Sequence, residues 1–241
     1  LERVDRYLQL VRELDLKLVL AVDTHIHADH VTGIGPLRDA TQCATAMGEQ
    51  SAAECVSLRL REGEVLKADG VRLQALYTPG HTDDSYSFLM KDRVFTGDTL
   101  LIRGTGRTDF QNGDPGAQYD SLFGKLLTLP EDTLVYPAHD YEGRTCSSIG
   151  EEARHNPRLQ VGSRQEYIDR MNALDLEPPR LIQVAVPANR QGGVTMVIGN
   201  TTNCDGCRGD CSAFATGCGD GDKCGTEACD EGSANSDLWH L

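Results

Sequence analysis

Short apolar runs alternate with polar clusters along the chain, and the period of each run predicts an element. Val4, Tyr7, Leu8, Val11 and Leu14 recur at helical spacing, which predicts an amphipathic helix within residues 1–18. Leu18–Val22 is short, apolar and β-prone, so it reads as a buried strand that ends in the polar cluster Asp23–His30. A glycine-containing helix is expected near Thr32–Ala40. Val71, Leu73, Ala75 and Tyr77 share one strand face, and Thr78-Pro79-Gly80-His81 is a turn signal. Ser85–Met90 and Arg93–Thr96 read as two strands around a tight turn at Lys91-Asp92, the second ended by Gly97-Asp98. Tyr119, Leu122 and Leu126 predict a helix over Gln118–Leu127. Thr133–Tyr136 is the last predicted strand, ended by Pro137-Ala138-His139. Glu151–His155 and Gln165–Leu174 have helical patterns. Strands interleaved with helices place the chain in the α/β (α+β) class.

From Val194 onward the pattern fails, because large apolar residues almost vanish and Gly, Asp and Cys dominate. The expected organisation is a globular domain over residues 1–193 and an acidic Gly/Cys-rich tail over 194–241, poorly ordered. A length of 241 residues fits one domain with an appendage. The net charge of −14 argues against a nucleic-acid partner, which would need a basic face. Eight acids against two bases place −6 of that charge in the tail. No run approaches 18 apolar residues, so no membrane span is expected, and no signal peptide is visible. The chain starts at Leu1 inside a helical pattern. The expectation is an N-terminally truncated domain whose missing residues supply strands of one sheet.

Nine cysteines divide unevenly. Cys43, Cys55 and Cys146 are scattered, Cys43 reading as core and Cys146 as packing or redox-sensitive. Cys204, Cys207, Cys211, Cys218, Cys224 and Cys229 crowd into the tail. That spacing admits zinc, an iron–sulfur cluster, three disulfides or no structure at all, so it assigns no function.

The chemistry concentrates at four predicted strand ends: His25, His27, Asp29 and His30 after the first, then His81, Asp98 and His139. Five of the seven histidines belong to this set. Loops after strand ends are where α/β proteins build their sites. Imidazole and carboxylate together suit zinc, iron or manganese. The same ligands suffice for one metal or for two.

His25-x-His27-x-Asp29-His30 with His81, Asp98 and His139 resembles the metallo-β-lactamase superfamily. That resemblance implies an αββα sandwich with metals at one edge. It covers roughly residues 1–193. Within the superfamily, residues 95–111, Pro137–Thr145, Glu151–Leu159 and Val184–Asn189 resemble persulfide dioxygenases, also called sulfur dioxygenases. Glutathione thioester hydrolases of the glyoxalase II type, which hold two zinc ions, are the alternative. A third reading is a Cys-rich metal-binding protein with an inactive body.

The resemblance implies one Fe(II) held by His25, His81 and Asp98, the two-histidine, one-carboxylate arrangement of non-haem oxygenases. His27, Asp29, His30, His139 and Asp140 would then support that centre or hold a second metal. Glutathione persulfide and O₂ are the implied substrates, and sulfite and glutathione the products. Arg107 and Arg144 are expected to pair with substrate carboxylates or to support the metal ligands, a structural salt bridge being the alternative for each. Tyr141 is expected to position substrate or the iron-bound oxygens. Glu142 departs from the lysine expected at that position and reverses a charge near the substrate entrance. Thr82 and Thr96 are expected either to fix ligand geometry or to make turn hydrogen bonds. The resemblance also implies a homodimer in a bacterial cytoplasm or a mitochondrial matrix.

Overall fold

Two sheets face one another, and each carries its helices on the outer side. The computed structural model describes residues 4–193, so the predicted tail and its six cysteines lie outside the described residues. The element order is α1 (Val4–Glu13), β1 (Leu20–Val22), α2 (Ile34–Thr41), β2 (Ala44–Gly48), β3 (Leu58–Leu60), β4 (Val65–Ala68), β5 (Val71–Tyr77), β6 (Tyr86–Leu89), β7 (Arg93–Gly97), β8 (Leu100–Leu101), β9 (Gly104–Thr105), α3 (Pro115–Gly124), β10 (Leu134–Pro137), β11 (Ser147–Ser148), α4 (Ile149–His155), α5 (Arg164–Asn172) and α6 (Ile182–Arg190).

The smaller sheet is parallel, in the order β1-β2-β3, with Leu20 opposite Ala44 and Ala46 opposite Leu58. The larger sheet runs β11-β10-β7-β6-β5-β4. β5, β6 and β7 are successively antiparallel, and β7 and β10 are parallel. The strands β5, β7 and β10 therefore point the same way, and their C-terminal ends open on one edge. The β4–β5 hairpin turns on Asp69 and Gly70, whose φ angles of 44° and 79° give a mirror-image turn that matches strand twist.

Alternation divides the larger sheet's side chains between two cores. Leu66, Ala75, Tyr86 and Phe88 face the smaller sheet and pack with its Ala46 and Leu60. Val94 and Val135 face outward and pack with Leu122, Ile149, Leu159, Tyr167 and Met171 from the outer helices. Beyond the smaller sheet, Ile26, Met47 and Ala53 pack with Val186 of α6.

Local capping explains where several elements start. Asp114 accepts from the backbone N–H groups of Gly116 (2.7 Å) and Ala117 (2.9 Å), with Pro115 in the first turn of α3. The helix predicted from Gln118 thus begins at Pro115 and ends at Gly124, before a 3₁₀ turn over Leu126–Thr128. Ser148 caps α4 and Ser163 caps α5 in the same way.

Two expectations are corrected. The strand read over Leu18–Val22 spans Leu20–Val22 and is only partly buried, because β1 lies at the edge of its sheet. Cys146 is exposed, which removes a packing role, whereas Cys43 is buried as expected. Strand β2 escaped prediction because Ala44-Thr45-Ala46-Met47-Gly48 has no alternation. Its small residues have a packing reason: a Cβ on Gly48 would meet the Tyr86 ring at 2.2 Å.

Candidate metal centre

The predicted ligands converge on the edge where the C-terminal ends of β5, β7 and β10 open. His25–His30 follow β1, His81 follows β5, Asp98 follows β7 and His139 follows β10. One ligand atom from each of His25, His81 and Asp98 lies within 4.8 Å of the others, and all three residues are buried. Asp98 Oδ2 stands 3.8 Å from His25 Nε2, 3.5 Å from His81 Nε2 and 3.5 Å from His139 Nε2. His27, Asp29 and His30 form a second group of the same compactness. His139 joins the two groups, because its Nε2 also lies 3.3 Å from Asp29 Oδ2.

Hydrogen bonds fix how these ligands are presented. His81 Nδ1 lies 2.7 Å from the Arg107 carbonyl. A carbonyl can only accept, so Nδ1 carries the hydrogen and Nε2 offers its lone pair toward Asp98. Thr24 Oγ1 lies 2.9 Å from His25 Nδ1 and leaves the His25 Nε2 atom facing Asp98. Burial first, and then the neighbouring imidazoles, push the His25 pKa well below its ordinary value. His27 is lowered to about 4, mainly by burial. Both rings are therefore neutral near pH 7, the form that binds metals. Burial works to raise Asp29, but the hydrogen bond with His30 and the charges of His30 and His139 outweigh it and hold it far below the usual carboxylate range. His30 is raised, chiefly by that same hydrogen bond, which is 3.1 Å long.

The donor set fits a bound metal. Asp98 Oδ1 and His27 Nδ1 are buried and have no hydrogen-bond partner. Buried polar atoms are ordinarily satisfied, so unpartnered ones on members of an imidazole and carboxylate cluster mark a ligand site. The backbone behind the site is just as close. A Cβ on Gly106 would meet the Asp98 carbonyl at 2.1 Å and His81 Nδ1 at 2.9 Å, so only glycine fits there.

The other predicted residues fall differently. Four of the five Arg107 N–H donors are engaged inside the protein. Nε and Nη2 donate to Asp109, both at 2.6 Å, Nη1 to the Glu177 carbonyl at 2.6 Å, and Nη2 also to the Leu176 carbonyl at 3.0 Å. Arg107 meets the site through its carbonyl on His81, and its charge ties down the α5–α6 connection. Tyr141 is 83% exposed, and its ring stacks on His139, 5.9 Å between centroids and 6° from parallel. Asp140 accepts from the Arg144 backbone N–H and closes the turn that carries Tyr141. Arg144 pairs with the departing Glu142 at 2.8 Å. Thr96 donates to the Leu100 carbonyl at 2.6 Å, a turn bond, whereas Thr82 donates to Asp84 at 2.7 Å.

Three supporting residues had no signal of their own in the sequence. Asp84 accepts from the Ile26 backbone N–H at 3.1 Å, and Gln111 Nε2 donates to the Ile26 carbonyl at 2.9 Å. Asn189, on α6, donates to the carbonyls of His27 and His30 and accepts from the Thr32 N–H, each at 2.8 Å. These partners lie 58 to 162 residues away in sequence, beyond the reach of any local pattern.

The metallo-beta-lactamase superfamily profile matches residues 4–139. The persulfide dioxygenase ETHE1 of Mus musculus, named as mitochondrial, is 45% identical over 197 residues, 80% of this chain and 77% of the relative. The crystal structure of ETHE1 from Myxococcus xanthus has a TM-score of 0.79 and 55% identity, covering 80% of this chain and 86% of that one. A hydroxyacylglutathione hydrolase of Rhodopseudomonas palustris is 37% identical over 142 residues, 57% of this chain and 54% of the relative. The chain belongs to the metallo-beta-lactamase superfamily and, within it, to the family of the persulfide dioxygenases.

Proposed function

We propose that the protein oxidises glutathione persulfide with O₂ at a single Fe(II) held by His25, His81 and Asp98. The observation that carries this reading is the buried cluster of those three ligand atoms within 4.8 Å, set in a chain similar to persulfide dioxygenases over 80% of its length. The likeness to the thioester hydrolase spans only 57% of the chain. Overall, GSSH, O₂ and H₂O give glutathione and sulfurous acid, which ionises to sulfite. The terminal sulfur loses four electrons to O₂, and its bond to the glutathione sulfur breaks. Iron bound at this site supplies a redox-active Lewis acid able to take a thiolate sulfur and activate O₂.

The chain's own residues do the rest. His81 keeps Nε2 unprotonated because the Arg107 carbonyl holds the hydrogen on Nδ1. His25 stays neutral by burial, so proton competition does not displace a ligand bond. Asp98 brings the negative charge that favours a dication. Asp29, His30 and His139 line the neighbouring face, where their polar atoms can hold water by hydrogen bonds. Tyr141 over His139, with Arg144 in the same turn, forms the rim that meets the anionic peptide. No helix among the described residues is long and apolar enough to cross a membrane. We place the enzyme in a reduced, glutathione-containing compartment, a bacterial cytoplasm or a mitochondrial matrix, and expect a homodimer.

The test is anaerobic loading with Fe(II), metal analysis, and an oxygen-electrode assay with glutathione persulfide. One iron per chain, and one O₂ consumed per sulfite formed, are expected. No O₂ uptake by an iron-loaded sample that hydrolyses S-lactoylglutathione would overturn the proposal in favour of the dizinc hydrolase.

A further inference from the structure

Resting on the metal centre proposed above, we propose that Asp84 is the positioning residue that sets the spacing between the His25 and His81 loops. Its carboxylate is 4% exposed and divides its two oxygens between them. Oδ2 accepts from the backbone N–H of Ile26, the residue after His25, at 3.1 Å. Oδ1 accepts from the hydroxyl of Thr82, the residue after His81, at 2.7 Å. Each anchor is thus one residue from a ligand, and Ile26 lies 58 residues before Asp84 in sequence. The Thr82 hydroxyl also lies 2.7 Å from Ser85 Oγ, and the Thr82 N–H donates to that same oxygen at 3.2 Å, so the Thr82 end is held from both sides.

A buried carboxylate is costly unless it is well bonded, and an apolar side chain would fill this place more cheaply. What a carboxylate adds is two acceptors at a fixed separation, which hold two backbones in register. Metal sites tolerate only a few tenths of an ångström in ligand placement. Losing the clamp lets His25 and His81 drift apart and lowers metal affinity even where the fold survives. Partners that orient ligands ordinarily contribute about 10- to 100-fold to affinity.

The experiment measures Fe(II) affinity of the full-length apo-protein by anaerobic competition with a chromogenic chelator, alongside urea denaturation of each variant. Asp84→Ala is expected to weaken binding about tenfold or more. Asp84→Asn is expected to stay within about threefold of wild type. Its oxygen still accepts from Ile26, and its NH₂ donates to Thr82 Oγ1, whose own hydrogen turns to Ser85. Val135→Ala, a deletion in the core between the larger sheet and its outer helices, is expected to lose stability but keep wild-type affinity. Unchanged affinity in Asp84→Ala, Asn as weak as Ala, or an equal loss in Val135→Ala overturns the assignment. If Asp84→Ala does not fold, Thr82→Val removes one arm of the clamp. It should weaken binding, and unchanged affinity there is equally fatal. Wild-type protein that binds no Fe(II), or that keeps it in His81→Ala, strikes the metal-centre reading itself. Normal wild-type binding with an unaffected Asp84→Ala strikes only the role of Asp84.

Discussion

Asn189→Leu tests how much of the fold's stability sits in the clasp between α6 and the ligand loop. Asn189 is 3% exposed, and its amide satisfies three backbone groups at once: the carbonyls of His27 and His30 and the N–H of Thr32. Leucine fills nearly the same volume and offers none of these bonds. It also keeps water out, so all three groups stay buried and unpaired. Each unpaired group costs about 1–3 kcal/mol, about 3–9 kcal/mol for the three, and a gain of about 1 kcal/mol from the apolar side chain leaves roughly 2–8 kcal/mol. That is a large share of the roughly 5–15 kcal/mol by which a domain is usually stable. Asn189→Ala should cost less, about 1–3 kcal/mol, because the vacated space admits a water that bonds the orphaned groups. The assay is urea denaturation of the apo-protein, comparing midpoints at constant slope. The reasoning fails if Leu is no more damaging than Ala, or if Leu lies within about 1 kcal/mol of wild type.

Two further outcomes follow from other positions. Gly106→Ala places a Cβ against the Asp98 carbonyl and His81. It should lower Fe(II) affinity about tenfold or more in the chelator competition, and an unchanged value would mean that the backbone behind the site yields freely. Burial pushes Tyr167 up to about 12, from 10.0. The folded state therefore holds that proton more tightly than the unfolded chain does. The stability this gives is complete below about pH 10 and is lost as pH rises through about 12. Urea midpoints taken from pH 8 to 11 should fall more steeply above pH 10 in wild type than in Tyr167→Phe, and parallel curves would contradict the reasoning.

The elements that could be read along the chain are those whose signal is local. Alternation located β5, the tight turn at Lys91-Asp92 located β6 and β7, and the Thr78-Pro79-Gly80-His81 turn ended β5 before its ligand. Strand β2 gave no alternation, because its residues are small so that Tyr86 can pack on Gly48. Helix α6 was recognised only as a family-like stretch, since Pro187 interrupts its helical pattern. Arg107 shows that a charge read along the chain does not reveal its partners. In sequence it is a cation near a ligand; in the fold its guanidinium is held by Asp109 and two carbonyls of the α5–α6 connection.

The sequence by itself determined the ligand types and their places at strand ends, because strand periodicity and turn chemistry act over a few residues. It also determined the family, through stretches of side chains that no packing rule alone would require. Only the tertiary structure decided which ligands meet. The common direction of β5, β7 and β10 brings His81, Asp98 and His139 to one edge, and the loop after β1 brings His25 to them. It also revealed what holds them there: the carbonyl of Arg107 on His81, the carboxylate of Asp84 between two loops, and the amide of Asn189 under the His27–Thr32 turn. Those partners are brought together by sheet pairing and core packing, forces that depend on the whole chain.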